Sequence, residues 1–294
     1  MAKFLIVNAD DFGIHPAVNR AVYRGFESGI LTSTSLMAGG TAFEEAVHMA
    51  RSMKEIGIGI HLTLVGSLPS VLPAEEVPTI TWEHGRLCSN YIDLIRRDLN
   101  GLIRADDVYR EWDAQIRKIL DTGLPVTHID GHQHMHMWNH FFPIAMTLAK
   151  KYHIPCMRVP DEQLCFGFSI KPQQLFRFTA KGGLSTMARL HRKQLYQMGI
   201  MTNDYFWGMM YGGHFYESRM LAIIDRLKDG VSEWMCHPSA DELSMESEFH
   251  WGYRGEEELK GLTSLSVRNK IKENCVNLIS YRKLTDSFIK NSSL

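Results

Sequence analysis

Short apolar segments that are typical of buried strands alternate along the chain with segments of helical periodicity. This alternation predicts a parallel sheet or a (β/α) barrel. We predict one domain, residues 1–294, with insertions at about 66–90 and 160–215. The clearest strands are predicted at Phe4–Val7, Ser33–Met37, Ile56–Leu64, Val126–His132, Cys156–Val159, Ser232–Cys236 and Val276–Ser280. Because chemistry in such folds collects at the carboxyl ends of the strands, polar residues there are the candidates for a functional site.

The composition excludes several classes of protein. Hydrophobic residues make up 45% and charged residues 22% of the chain, which excludes a disordered protein. The net charge of -1 lacks the basic excess of nucleic-acid-binding proteins, so no nucleic-acid partner is expected. Scattered cysteines, the lack of a signal peptide and the lack of a long apolar run favour a cytoplasmic protein, with peripheral membrane contact left open.

Asp10 and Asp11 directly follow the first predicted strand. For a single aspartate in this place, a structural role as a turn former or as a charge at a helix N-terminus explains the residue as well as a functional role does. Two adjacent side chains diverge, however, so one carboxylate can bind a cation while the other faces a substrate as a base. The pair therefore indicates a functional loop.

The strongest signal is a run of polar residues at every second position, namely His128, Asp130, His132, His134 and His136. In an extended strand they share one face, with successive residues about 6.6–6.8 Å apart. One metal ion with ligand bonds of about 2.0–2.2 Å cannot bind them all. We expect one or two to be ligands and the others to support the ligands, contact substrate or begin a helix.

Three further polar residues lie at predicted strand ends. His61 is either a core histidine or a ligand. The ligand role is favoured only if other ligands lie at neighbouring strand ends. Arg158 is either a surface residue or an anion clamp. His237 is a weak signal on its own.

One carboxylate with two neutral imidazoles makes a site for a divalent ion that leaves coordination positions open. The imidazoles favour Zn²⁺, whereas a carboxylate with water molecules suits Mg²⁺. Such an ion lowers the pKa of water and polarises a carbonyl, while a nearby aspartate and histidine move protons. This combination suits hydrolysis of an amide or ester.

Four motifs in this order resemble the YdjC-like carbohydrate deacetylases, and the resemblance covers nearly the whole chain. They are Val7-Asn8-Ala9-Asp10-Asp11-Phe12-Gly13, Gly59-Ile60-His61-Leu62, His128-Ile129-Asp130-Gly131-His132-Gln133-His134-Met135-His136 and Met235-Cys236-His237-Pro238. The resemblance implies a distorted, TIM-like (β/α) barrel of seven or eight strands that removes acetyl from N-acetylated amino sugars with one divalent metal ion.

The resemblance also implies roles by position. Asp11, His61 and His132 match the metal ligands, Asp10 the base and His237 the acid. The sequence departs from the family pattern in one place, because many relatives read D-S-H-H-H where this chain has Gly131 and Gln133 beside the ligand. The ligand is the same as in the family pattern, whereas its two neighbours, which contact the sugar in this interpretation, differ from that pattern.

A narrower branch, the hopanoid-biosynthesis-associated deacetylases, is also similar in several segments. They are Leu62-Thr63-Leu64-Val65-Gly66, Leu72-Pro73-Ala74-Glu75-Glu76-Val77-Pro78, Thr202-Asn203-Asp204 and Gly252-Tyr253-Arg254. This similarity implies an N-acetylglucosaminyl headgroup on a hopanoid-type lipid as substrate. The stretches Phe166–Phe178 and Tyr205–Tyr216 would then form a lid or lipid-facing wall, or else the core of an insertion.

We therefore expect a metal-dependent N-deacetylase in which Arg158 helps to stabilise the oxyanion. Soluble chitooligosaccharides are the alternative substrate. A metal-dependent sugar isomerase and a non-catalytic barrel that binds glycan or lipid are the alternative functions. Peripheral attachment to the inner membrane and a homo-oligomer are left open.

Overall fold

The computed structural model describes residues 2–162 and 175–285 of the chain. Within these residues, eight strands pair in parallel in the order β5-β4-β3-β2-β1-β7-β6, and β8 pairs with the start of β1. The strands are β1 (Lys3–Phe12), β2 (Ser33–Leu36), β3 (Gly57–Leu62), β4 (Val126–Gly131), β5 (Cys156–Met157), β6 (Tyr205–Trp207), β7 (Gly230–Cys236) and β8 (Val276–Leu278).

Ten helices connect or follow these strands in the described part of the chain. They are α1 (Pro16–Ser28), α2 (Phe43–Ala50), α3 (Tyr91–Leu99), α4 (Ala105–Leu120), α5 (Phe142–Lys151), α6 (Leu175–Gln197), α7 (Glu217–Ile224), α8 (Glu242–Phe249), α9 (Gly255–Leu262) and α10 (Leu265–Glu273). Short 3-10 segments lie at Ala74–Glu76, Glu83–Gly85 and His132–Met137. In the described ranges, no helix is both long enough and apolar enough to cross a membrane.

The sheet curls into a distorted barrel, which confirms the predicted α/β barrel-like fold. Its two outer strands, β5 and β6, are linked across the gap by isolated parallel bridges, Cys156 to Met201 and Glu162 to Phe206. Strands β1 and β3 are buried along almost their entire length, as expected for parallel strands covered on both faces.

The two faces of β1 contact different surroundings. Leu5, Val7 and Ala9 belong to the main hydrophobic core, whereas Ile6 packs with Cys156 and Tyr281 in a small second cluster. The residues that follow Ile6 on its face are Asn8 and Asp10, and both are buried. On this face of β1, a small apolar cluster therefore lies beneath a layer of buried polar side chains. The polar layer is the one close to the carboxyl ends of the strands.

Two of the differences between predicted and observed strand boundaries concern the site. β1 does not stop before the aspartates but continues to Phe12, with a register shift against β2 between Ala9 and Phe12. β4 ends at Gly131, one residue before the predicted end at His132, and the histidine run continues in a 3-10 segment. Only His128 and Asp130 therefore share a strand face.

The predicted insertions take two forms. Residues 66–90 are irregular apart from two 3-10 turns. Within 160–215, α6 and β6 are regular elements, while residues 163–174 lie outside the described ranges. The predicted wall segment Phe166–Phe178 consequently falls outside the described residues, apart from the start of α6, and the assignment of both stretches as insertions in one domain stays a prediction.

We predict that Gly59→Ala destabilises the protein. A Cβ atom at Gly59 would overlap the imidazole of His128, which is fully buried and stacked on Tyr281 with ring centroids 3.9 Å apart. Overpacking of this kind typically costs about 1–3 kcal/mol of the free energy of unfolding. Denaturant titration measures the loss. A variant as stable as the wild-type protein would contradict this packing.

The matched control is Gly182→Ala in α6. Apart from the adjacent residues and the backbone of α6 itself, a Cβ atom at this position meets no atom of the described residues within 4 Å. Because alanine favours a helix over glycine by about 1 kcal/mol, the control is expected to be as stable as the wild-type protein or slightly more stable.

Candidate metal centre and active site

The predicted site residues converge at the carboxyl ends of neighbouring strands. Asp10 and Asp11 lie in the last residues of β1, His61 lies near the end of β3, and His132 follows β4 directly. All four are buried. The strand pairings bring them together, because β2 lies between β1 and β3, and β3 pairs with β4.

The irregular end of β1 explains why two adjacent carboxylates serve different partners. Asp11 has a left-handed backbone with φ of 64°, and the register against β2 shifts around it. As a result, Asp10 contacts Arg158 while Asp11 contacts His61 and His132. The divergence predicted for the pair is observed.

Asp11, His61 and His132 form a compact set of candidate metal ligands, with one ligand atom from each within 4.8 Å of the others. Oδ1 of Asp11 lies 2.9 Å from Nδ1 of His132 and 3.3 Å from Nε2 of His61. Ligand bonds of about 2.0–2.2 Å place neighbouring ligand atoms about 3–3.5 Å apart. The other nitrogen of His132, Nε2, is buried without a hydrogen-bond partner among the described residues. Spacing and donor types therefore fit one divalent ion.

A second group, Asp10 with His61 and Asp130, is also close enough to hold a metal ion. Arg158 argues against that role, because its guanidinium contacts both carboxylates at 2.7–2.9 Å and would repel a cation there. The Asp11 set is therefore the better candidate for a metal site.

Asp130 contacts the candidate ligand His61 through the ring nitrogen that does not face Asp11. Its Oδ1 lies 2.8 Å from Nδ1 of His61, and Ser35 donates a hydrogen bond of 2.6 Å to its Oδ2. Nε2 of His61, on the side of Asp11, would thereby be available to a metal ion. Burial alone would lower the pKa of His61, but Asp130, Asp11 and Asp10 raise it to about 10.

Arg158 is fully buried and does not reach the cavity, so the expected direct contact with an oxyanion is not supported. Its two terminal nitrogens donate hydrogen bonds of 2.7 Å to the two oxygens of Asp10, and Nε donates one of 2.8 Å to Glu233. A further contact of 2.9 Å joins it to Asp130. Burial would lower the pKa of Arg158, but these three carboxylates hold it well above its usual value.

Glu233 is a site residue that the sequence interpretation missed. It lies inside the apolar strand β7, is fully buried, and accepts a hydrogen bond of 2.7 Å from the hydroxyl of Tyr281. Burial raises the pKa of Glu233 to about 7, although Arg158 acts in the opposite direction. A charged residue in a buried strand needs a partner, and this was the signal that could have identified it.

His237 follows β7 and faces the same space as Asp10. Its backbone N–H donates a hydrogen bond of 2.6 Å to Glu258, which also accepts one of 2.8 Å from the backbone of Phe215. Burial raises the pKa of Glu258, whereas His237 acts to lower it. Glu258, which the sequence interpretation also missed, thus fixes the segment that carries His237.

The remaining histidines of the run do not line up as an extended strand would place them. The backbone turns sharply after Gly131, and both Gln133 and His134 adopt left-handed conformations with φ of 51° and 59°. His128 stacks on Tyr281 inside the barrel, and Nε2 of His136 lies 3.1 Å from the backbone oxygen of Arg158. These two histidines are therefore structural.

A cavity of about 640 Å³ opens onto the site. Its polar floor contains Asp10, His61, His132, His134 and His237. Its walls are largely apolar and are formed by side chains from α3, α6 and the segments after β6 and β4, among them Ile95, Leu184, Met187, Leu190, Met209 and Met135. The cavity therefore combines a polar end, which contains the candidate site residues, with an apolar wall.

Comparison with known proteins identifies a family. A model described as YdjC-like protein matches residues 4–273. The chain is 31% identical over 284 residues to a carbohydrate deacetylase of Geobacillus stearothermophilus, covering 96% of this chain and 98% of the relative. It is 30% identical over 283 residues to a carbohydrate deacetylase of Brevibacillus brevis, covering 95% and 99% of the two chains.

A solved structure is similar over the same extent. A protein from Enterococcus faecalis V583, named for a proposed cleavage of cellobiose phosphate, matches with a TM-score of 0.76 and 29% identity, covering 97% of this chain and 99% of its own. The hopanoid-associated branch stays a prediction. Because the family model and these relatives match nearly the whole sequence, the chain belongs to the YdjC-like protein family.

Proposed function

We propose that the protein is a metal-dependent hydrolase that removes acetyl from an N-acetylated amino sugar. The observation that carries the proposal is the arrangement of Asp11, His61 and His132 as a metal set, with Asp10 and His237 beside it in one cavity. The names of the relatives as carbohydrate deacetylases support the same reaction.

Asp11, His61 and His132 would hold the ion. Two imidazoles and one carboxylate are typical of catalytic zinc, whereas magnesium prefers oxygen ligands, so the donor set favours zinc. When bound, such an ion supplies Lewis-acid polarisation of the acetyl carbonyl and lowers the pKa of water.

Asp10 is the proposed base that takes the proton from the attacking water. Its carboxylate is held by both terminal nitrogens of Arg158 and by Asn8, whose Nδ2 donates a hydrogen bond of 2.9 Å. Two parallel hydrogen bonds from a buried guanidinium fix the plane of a carboxylate. Arg158 is therefore a positioning residue for Asp10.

His237 is the proposed acid. It lines the cavity together with Asp10, and Glu258 holds its backbone. Attack of water forms a C–O bond at the acetyl carbon while Asp10 takes the proton of the water. The C–N bond then breaks, and the departing nitrogen takes a proton from the His237 imidazolium. The products are acetate and a free amino sugar.

The apolar wall favours a sugar that carries an apolar group. Leu184, Met187 and Leu190 lie on one face of α6 beside the cavity, and Leu190 is 70% exposed. A free oligosaccharide offers such a surface little to bury, whereas a lipid offers much. We therefore favour an N-acetylglucosaminyl headgroup on a hopanoid-type lipid over soluble chitooligosaccharides.

The first prediction concerns substrate choice. The protein is expected to release acetate from an N-acetylglucosaminyl lipid with a higher kcat/KM than from an N-acetylglucosamine oligomer, and a chelator is expected to abolish both reactions. Acetate assay and metal analysis on one sample measure this. Faster turnover of the soluble oligomer would overturn the lipid assignment alone, while a metal-loaded protein that releases no acetate from either would favour an isomerase or a binding protein.

The second prediction separates the adjacent aspartates. Asp11→Ala is expected to lose the metal, because it removes the only carboxylate of the set. Asp10→Asn is expected to retain the metal and to lose at least about 100-fold in kcat, because an amide cannot take the proton. Each variant serves as the control for the other, and a fully active Asp10→Asn protein would contradict the assigned base.

The third prediction concerns Asp130. Asp130→Asn is expected to weaken metal affinity about 10–100-fold, because the amide no longer holds His61 with a full charge. Competition with a chromophoric chelator measures the affinity. Asp113→Asn is a suitable control, since Asp113 pairs with Lys151 between α4 and α5 and is expected to leave metal binding unchanged. Equal affinities in the two variants would show that Asp130 does not support the ligand set.

A further inference from the structure

His134 is a buried histidine in the cavity floor that neither the metal set nor the proton transfers use. It is 6% exposed and lines the cavity together with Asp10, His132 and His237. Its ring lies edge-on to Phe206 and His136, with centroid distances of 5.7 and 6.4 Å. These contacts hold the ring in one orientation.

The polar atoms of His134 distinguish it from a packing residue. Nδ1 is buried without a hydrogen-bond partner in residues 2–162 and 175–285. A buried polar atom left without a partner costs free energy, and an apolar ring would fill the same space without that cost. An imidazole is therefore favoured at this position only if its other nitrogen gains a partner in the cavity.

The backbone at this position is also strained. His134 and the preceding Gln133 both have positive φ, a conformation that residues other than glycine rarely adopt. Gln133 is held there by accepting a hydrogen bond of 3.0 Å from the backbone N–H of Tyr91 at the start of α3. Strained residues of this kind cluster in ligand-binding sites, where the surrounding structure maintains them.

We propose that Nε2 of His134 donates a hydrogen bond to a ring hydroxyl of the substrate sugar, which makes His134 a specificity-determining residue. The proposal rests on the proposed deacetylase function. An unpartnered N–H is costlier to bury than an unpartnered acceptor, so the proton belongs on Nε2 and not on the enclosed Nδ1. A sugar hydroxyl beside the metal set supplies the matching acceptor.

The test substitutes His134→Phe, which keeps an aromatic ring against Phe206 and removes the donor. The variant is expected to retain its metal, to unfold at the same or a higher midpoint, and to lose about 10-fold in kcat/KM on an N-acetylglucosamine substrate. With one of the monodeoxy analogues of that substrate, the variant and the wild-type protein are expected to be equally efficient, because the hydroxyl that His134 contacts is then absent.

Two more variants make the result decisive. His134→Asn suits a left-handed backbone, removes the ring, and is expected to lose efficiency as well. His191→Phe replaces another buried histidine, which stacks on Phe142, and is expected to leave kcat/KM unchanged.

Several outcomes would overturn the proposal. They are full efficiency of His134→Phe, loss of its metal, a lowered unfolding midpoint in both His134 variants, or an equal loss with every monodeoxy analogue. Acetate release by the wild-type protein tests the proposed function separately. Its absence would therefore be distinguishable from a defect confined to the His134 variants.

Discussion

One buried guanidinium holds the interior of this barrel together. Arg158 follows β5 and contacts carboxylates on three other strands, Asp10 on β1, Asp130 on β4 and Glu233 on β7. Removing one partner from a buried ion pair typically costs about 3–5 kcal/mol, because the charge that remains has no compensation. Here the loss of Arg158 would leave three carboxylates in that state. The contacts of Arg158 also orient Asp10, the proposed base, and Asp130, which contacts His61, so stability and site geometry depend on one side chain.

The fold and much of the site could be predicted from the sequence, because both follow from local patterns. Apolar strand-like segments fixed the alternation of strands and helices, and the carboxyl ends of those strands identified Asp10, Asp11, His61, His132 and His237. Parallel topology then brings such residues together without further information. The positions of these residues could therefore be predicted from the sequence, whereas their chemical roles are proposals.

The errors have a common physical cause, which is that a partner distant in sequence decides the outcome. The sequence left Arg158 open as a surface residue or an anion clamp, and its contacts with Asp10 and Glu233 are with residues distant in sequence. Glu258 has no local signal, since its role depends on backbone N–H groups of Phe215 and His237. The histidine run is a separate, local case, because its alternation places side chains on one face only in an extended backbone, and a tight turn follows Gly131.

The position of β1 in the sheet affects when the site can form during synthesis of the chain. β1 pairs with β7 and β8, and the register joins Lys3 to Gly230 and to Val276. The strand that carries Asp10 and Asp11 is synthesised before both of these partner strands. Long-range pairing of this kind slows folding and leaves a strand edge unpaired until its neighbours arrive. On the ribosome, the candidate site would therefore be finished only when β7 and β8 have emerged.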